Sequence, residues 1–144
     1  MLVHQILKSK PDHAVATILP GATMAQAVEM LSARRIGALV VSHDGKAVAG
    51  ILSERDVVRE LGRRGVACLT DKVEAVMTRD IVGCARDDKA DVVLQRMTDG
   101  RFRHMPVMQG AEMVGLISIG DVVKARLSEL ATEADALTSM IMGN

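Results

Sequence analysis

Twice in this chain a serine is followed three residues later by an aspartate and then by a Val-Val pair: Ser53-Glu54-Arg55-Asp56-Val57-Val58 and Ser118-Ile119-Gly120-Asp121-Val122-Val123. A glycine and two aliphatic residues precede each serine, Gly50-Ile51-Leu52 and Gly115-Leu116-Ile117. A short apolar run ending in Ser-x-x-Asp reads as a strand that stops at a helix N-terminus. The simplest chemistry for each pair is reciprocal capping. The serine oxygen accepts from the third helical N–H, and the aspartate accepts from the serine's own N–H. Catalytic patterns are missing. The four histidines (His4, His13, His43, His104) show no ligand spacing and there is no Cys/His cluster. Neither serine stands in a Gly-x-Ser-x-Gly elbow, and no Walker A or Gly-x-Gly-x-x-Gly motif occurs. The residues give no argument for catalysis, and the chain is expected not to be an enzyme.

The elements that carry the two motifs repeat as well. Residues 15–41 fall on 81–107 at an offset of 66 without a gap. Met24, Ala27, Val28 and Leu31 match Ala90, Val93, Leu94 and Met97, each set an i, i+3, i+4, i+7 helical stripe. Ile36–Val41 matches Phe102–Val107, and a turn one residue shorter in the second copy converts the offset to 65. The spacing predicts strands over 15–19, 37–42 and 47–52, with an Asp44-Gly45 hairpin between the last two. Helices are predicted from Thr23, with Gln26 completing a capping box, to about Arg34, and from Ser53 to near Gly62. The second half is expected to repeat this with a strand at 81–84, a helix at 88–99, a hairpin of 104–108 with 112–117, and a helix from Ile119 that meets no stop signal before Gly143. Residues 2–7 form a short lead-in helix matching 73–77, 8–13 a loop and 65–72 a linker. Two copies of so long a unit point to pseudo-twofold pairing of two halves.

With both Ser-x-x-Asp segments, Arg35-Ile-Gly-Ala-Leu-Val-Val41, Phe102-Arg-His-Met-Pro-Val107 and the lead-in Val76-Met-Thr-Arg-Asp80, the chain resembles the tandem cystathionine-β-synthase (CBS) domain module, in its small standalone form. The resemblance spans roughly residues 1–126. It implies an α+β fold in which two β-α-β-β-α repeats pack with pseudo-twofold symmetry, leaving clefts between them. Residues 1–72 would be the first repeat with its lead-in and linker, 73–126 the second, and 127–144 a helical extension. The implied function is an adenine-nucleotide sensor that acts through changes of shape or partner affinity. Similar small proteins take AMP and NAD(H), and ATP and S-adenosylmethionine also occur in the family. The alternative is a ligand-free or metal-holding module that serves as an oligomeric interaction scaffold.

The resemblance also assigns residues. Asp56 and Asp121 match the family's ribose-binding aspartate, since one carboxylate accepts from both ribose hydroxyls. Ser53 and Ser118 would lie beside ribose or phosphate at helix N-termini, where unpaired N–H groups favour anions. Capping and binding are compatible, so neither reading displaces the other. Arg55, Arg103 and His104 are the candidate phosphate contacts; their counterparts in the other repeat are Gly120, Gly37 and Ala38. Thr17 and Gly83 end the first strands, where the family contacts base or ribose. Met105 and Pro106 lie on the strand whose backbone would face adenine.

Composition narrows the partners. Hydrophobic residues make up 49% of the 144, but aromatics only 1%, so a planar ligand would lie between aliphatic side chains. The net charge is +0. Residues 1–72 carry 10 basic and 7 acidic side chains (+3), residues 73–144 carry 8 and 11 (−3). Without a basic domain or stacking aromatics, nucleic acid is not an expected partner. Cys68 and Cys84 read as free buried thiols of a reducing compartment. No signal run or membrane-length apolar stretch is found, so the protein is expected in the cytoplasm and off the membrane. Beyond the repeats, Leu127, Leu130, Ala134, Leu137 and Ile141 follow a 3-4-3-4 rhythm. The stripe fits packing back on its own domain or a homodimer seam, and its place outside the repeated core favours the seam.

Overall fold

A computed structural model describes residues 1–11 and 14–143. They form two compact units: residues 14–82 with 108–114, and residues 1–11 with 83–107 and 115–143. Each is a small α+β body with its own aliphatic core.

In the first unit the chain runs through β1 (Thr17–Ile18), α2 (Met24–Arg34), β2 (Ala38–Val41), β3 (Gly50–Ser53) and α3 (Glu54–Arg64), α1 being the N-terminal helix of the other unit. β1 is parallel to β2, and β2 is antiparallel to β3 with Ala38 opposite Ser53 and Val41 opposite Gly50. Thr23 and Gln26 form the expected capping box at the start of α2. The helix lays Met24, Ala27 and Leu31 against Leu39, Val41 and Leu52. The β2–β3 connection is longer than the expected four residues 43–46, since β2 ends at Val41 and β3 begins at Gly50. Asp44 accepts from the N–H groups of Lys46 and Ala47, and the Ser42 hydroxyl donates to the Ala47 carbonyl. These bonds hold a wider loop, so β3 starts at Gly50 rather than at residue 47. The expected linker is itself ordered, with a 3-10 segment over Gly65–Thr70, and the second lead-in carries another over Val73–Ala75.

The second unit contains α1 (Val3–Ser9), α4 (Ala90–Gly100) and α5 (Ile119–Ile141), with the bases of strands β4 (His104–Gln109) and β5 (Glu112–Ser118). Val3 and Ile6 of α1 are buried with Val93, Met97, Met105, Ile117 and Val122. α1 runs to Ser9, two residues past the expected lead-in; of the loop expected to follow, Asp12 and His13 lie outside the described residues.

The strand expected over 81–84 is reduced to a single parallel bridge, Cys84 with Val107. Residue by residue the reason is visible. In the first unit the Val40 N–H donates to the Ala16 carbonyl at 3.0 Å. The residue matching Val40 is Pro106, which has no N–H to give. Only the opposite bond survives, from the Cys84 N–H to the Pro106 carbonyl at 3.0 Å. Gly83 weakens the segment further.

The two lead-ins dock in matching ways, each on elements of the other repeat. The Val3 and His4 N–H groups donate to the Asp88 and Arg86 carbonyls, and the Val73 and Glu74 N–H groups to the Ala22 and Pro20 carbonyls. Leu7 lies where a Cβ on Gly115 would be, and Met77 where a Cβ on Gly50 would be. Helix α1 therefore belongs to the core built from the second repeat, and Val73, Val76 and Met77 to the core built from the first.

Candidate ligand-binding site

Both Ser-x-x-Asp segments are capping boxes at the strand-to-helix turn. In the first, the Ser53 N–H and hydroxyl donate to Asp56 Oδ2 at 2.9 and 3.2 Å, and the Asp56 N–H points back to Ser53 Oγ at 3.4 Å. Arg59, one turn further along α3, donates to Asp56 Oδ1 at 3.1 Å. Asp56 is only 5% exposed. In the second, the Ser118 N–H donates to Asp121 Oδ2 at 2.9 Å and the Asp121 N–H to Ser118 Oγ at 3.2 Å. Here the added cation comes from far along the chain: Lys10 Nζ lies 2.9 Å from Asp121 Oδ2 and donates to the Leu116 carbonyl at 3.0 Å. Burial pushes the Asp121 carboxyl up, but the Ser118 N–H and Lys10 outweigh it and hold the group below its ordinary value.

What each turn offers chemically is a carboxylate pinned by backbone at a helix N-terminus, an acceptor set for a diol beside N–H groups that favour an anion. The strand preceding each helix is brought alongside in the same way. The Glu54 N–H donates to the Gly37 carbonyl at 2.9 Å, and the Ile119 N–H to the Arg103 carbonyl at 2.8 Å. Gly37 and Ala38 thus sit against Ser53, and Arg103 stands immediately before His104, which starts β4. Arg55 and Arg103 are exposed, with Arg55 in the first turn of α3. Thr17 opens β1 opposite Val40, one strand from the Ala38–Ser53 pair, so Thr17, Ala38 and Ser53 lie on one three-stranded sheet, with Arg55 and Asp56 on the helix that follows it. Gly83 is half-buried next to the Cys84 bridge. Met105 is fully buried in the core, and the Pro106 carbonyl is taken by Cys84.

Two participants were invisible as site residues in the sequence. Arg59 had a findable signal, three residues after Asp56 on one helix face. Lys10 had none, because it lies 111 residues from Asp121 in a segment without a motif. Both cysteines are free and buried. Burial, with the Asp88 charge, pushes the Cys84 thiol up to about 12, which keeps it protonated and unreactive at neutral pH. Among the described residues no cluster of three or more His, Cys, Asp or Glu is placed to hold a metal, and no helix is long and apolar enough to cross a membrane.

A family model described as the CBS domain matches residues 4–63 and again residues 73–128. The mitochondrial CBS domain-containing protein CBSX3 of Arabidopsis thaliana is 34% identical over 148 residues, spanning 98% of this chain and 72% of that protein. Among solved structures, a CBS-domain containing protein from Agrobacterium tumefaciens matches with a TM-score of 0.83 at 40% identity, over 88% of this chain and 99% of that one. A CBS domain pair solved with 5′-methylthioadenosine and S-adenosylmethionine shares the fold, with a TM-score of 0.76 at 22% identity, over 90% and 98% of the two chains.

Proposed function

The chain belongs to the CBS domain family, and from that premise we propose that it is a non-enzymatic regulatory module that binds adenine nucleotides, AMP or NAD(H), at its two Ser-x-x-Asp turns. CBS pairs are regulatory modules that bind adenosine-containing ligands. The observation that carries the reading is the doubled anchor: two carboxylates, each fixed by a serine N–H at 2.9 Å, at equivalent helix N-termini. The ribose diol would be taken by Asp56 or Asp121, and the phosphates by Arg55 at one turn and by Arg103 with His104 at the other. ATP and S-adenosylmethionine are the further ligands to try. Two buried free thiols fit a reducing compartment such as the cytoplasm.

Calorimetry with AMP and NADH on the wild type, Asp56→Asn and Asp121→Asn tests this. Each variant should lose one site and keep the other, because losing a charge-assisted partner costs about 1.5–3 kcal/mol, roughly tenfold to a hundredfold in affinity. Nucleotide affinity indifferent to both substitutions would reduce the motifs to helix caps. The sites should also be unequal, since one-sided basic residues cannot present both ligands with the same field.

The module is further proposed to be a homodimer through α5. Past Ala125 that helix buries none of its apolar side chains within the chain, and Leu127, Leu130, Leu137 and Ile141 are all exposed. Light scattering at micromolar concentration should give twice the chain mass, and Leu130→Glu with Leu137→Glu should give the monomer. A monomeric wild type rejects the proposal.

A further inference from the structure

The second anchor already holds a cation in the place a ligand hydroxyl would need. Asp121 Oδ2 accepts from the Ser118 N–H and from Lys10, both at 2.9 Å, which uses its two lone pairs. Both bonds end on Oδ2, so Oδ1 stays available to one hydroxyl. A cis-diol engages a carboxylate best with one hydroxyl on each oxygen, and here the second position is filled. At the first anchor the second donor on Oδ2 is the Ser53 hydroxyl, which can rotate aside without moving backbone, and the cation there, Arg59, meets Oδ1 from an exposed side chain.

Lys10 is delivered there by structure. It closes α1, its N–H donating to the Leu7 carbonyl at 3.2 Å, while Val3 and Ile6 are buried and Leu7 fills the space beside Gly115. Its ammonium also satisfies the Leu116 carbonyl. In the first unit the matching carbonyl, that of Ile51, is satisfied by the Thr78 N–H. The residue that matches Lys10 there is Asp80, which is exposed and of opposite charge.

We propose that Lys10 is a tethered occupant of the second anchor and its specificity-determining residue: ligand enters by displacing the ammonium from Asp121, and a ligand that carries phosphate is favoured because it gives the displaced ammonium a new partner. This rests on Asp121 being the ribose acceptor. An anchor that is mostly self-occupied lowers the apparent affinity of every ligand by the fraction free. Adenosine bears that reduction in full, whereas AMP recovers part of it through its phosphate.

The experiment is calorimetry with adenosine and AMP on an Asp56→Asn background, comparing Lys10, Lys10→Met and Lys10→Arg, with thermal melting of each. In Lys10→Met, adenosine should bind about threefold or more tighter, and the AMP-over-adenosine preference should fall about tenfold. Lys10→Arg, which keeps the charge, should retain the preference. If Lys10→Met lowers the melting temperature but leaves the preference unchanged, Lys10 only satisfies the Leu116 carbonyl and the proposal is overturned. Equal weakening of both ligands overturns it as well. If adding Asp121→Asn to the background leaves binding unaltered, the ribose reading itself fails and takes this inference with it.

Discussion

The first anchor, at Asp56, is closed by its own helix, and the second, at Asp121, by a segment more than a hundred residues away. Asp56 is nearly inaccessible, and its outer oxygen meets Arg59 one turn along α3. Arg59 is itself 59% exposed, and such surface pairs contribute about 0–1 kcal/mol. Asp121 is more open, with a side chain 23% exposed, but it is held by a lysine anchored through a buried helix. The same four-residue motif therefore meets two environments, because the lead-ins end differently. Thr78 continues as extended chain and pairs with Ile51 in both directions, while α1 stays helical through Ser9 and leaves the Leu116 carbonyl to a side chain. A shared Ser-x-x-Asp motif does not give identical sites when the neighbouring backbone sets the remaining partners.

The largest effect should come from filling the two glycines on which the lead-ins sit. A Cβ at Gly50 would meet Met77 Sδ at 2.5 Å and the Thr78 carbonyl oxygen at 2.8 Å. That carbonyl is fixed by the Ile51 ladder, so Gly50→Ala should destabilise by about 3 kcal/mol. At Gly115 the obstacle is Leu7 Cδ1 and Cδ2 at 2.9 Å, the end of a flexible side chain. Gly115→Ala should cost about 1 kcal/mol. Urea unfolding of the two variants compares them, and equal losses would mean that the lead-ins are equally rigid.

Next in size is loss of the caps. Asp56→Ala removes a buried carboxylate, leaves the half-buried Ser53 N–H without its acceptor and should cost about 1–3 kcal/mol. Asp121→Ala, at the more open turn, should cost about 1 kcal/mol. The reverse order in chemical denaturation would contradict the burial difference.

Acid should then expose the Lys10 pairing. The Asp121 carboxyl is held below its ordinary 3.8, so its contribution is complete above that pH and is lost as pH falls through the depressed value. Stability followed from about pH 5 to pH 2 should fall less steeply in Asp121→Asn than in wild type. In Lys10→Met the same loss should begin at higher pH.

The smallest effect is expected from Arg59→Ala. Stability should change by less than about 1 kcal/mol, while Asp56 Oδ1 is released and AMP binds the first anchor slightly tighter. A large loss of stability, measured by thermal melting, would show that the exposed pair matters more than its solvation allows.

Much of this was legible because it is local. The boxes at Thr23, Ser53 and Ser118 are i to i+3 relations, set as soon as the helix forms. The 66-residue repeat exposed the helical stripes, and all four residues of each stripe pack in or against their own core. Pro106 was on view as well, but its consequence, a strand cut to one bridge at Cys84, needed the partner register to become visible. The loop at residues 42–49 is longer than the 43–46 turn expected from Asp44-Gly45 because Asp44 and Ser42 gather its backbone groups into a wider arch.

By itself the sequence determined two repeats of one α+β unit, the helix starts at Ser53 and Ser118, and the apolar stripe of α5, since periodicity and capping act between residues a few positions apart. Only the tertiary structure decided that each lead-in packs with the other repeat, that Lys10 reaches Asp121 while Asp80 has no matching role, and that the two carboxylates differ in access. Those outcomes depend on which backbone groups remain unsatisfied once the strands have paired. A carbonyl such as that of Leu116 acquires its partner from whatever the folded chain brings near, and no spacing in the sequence records that choice.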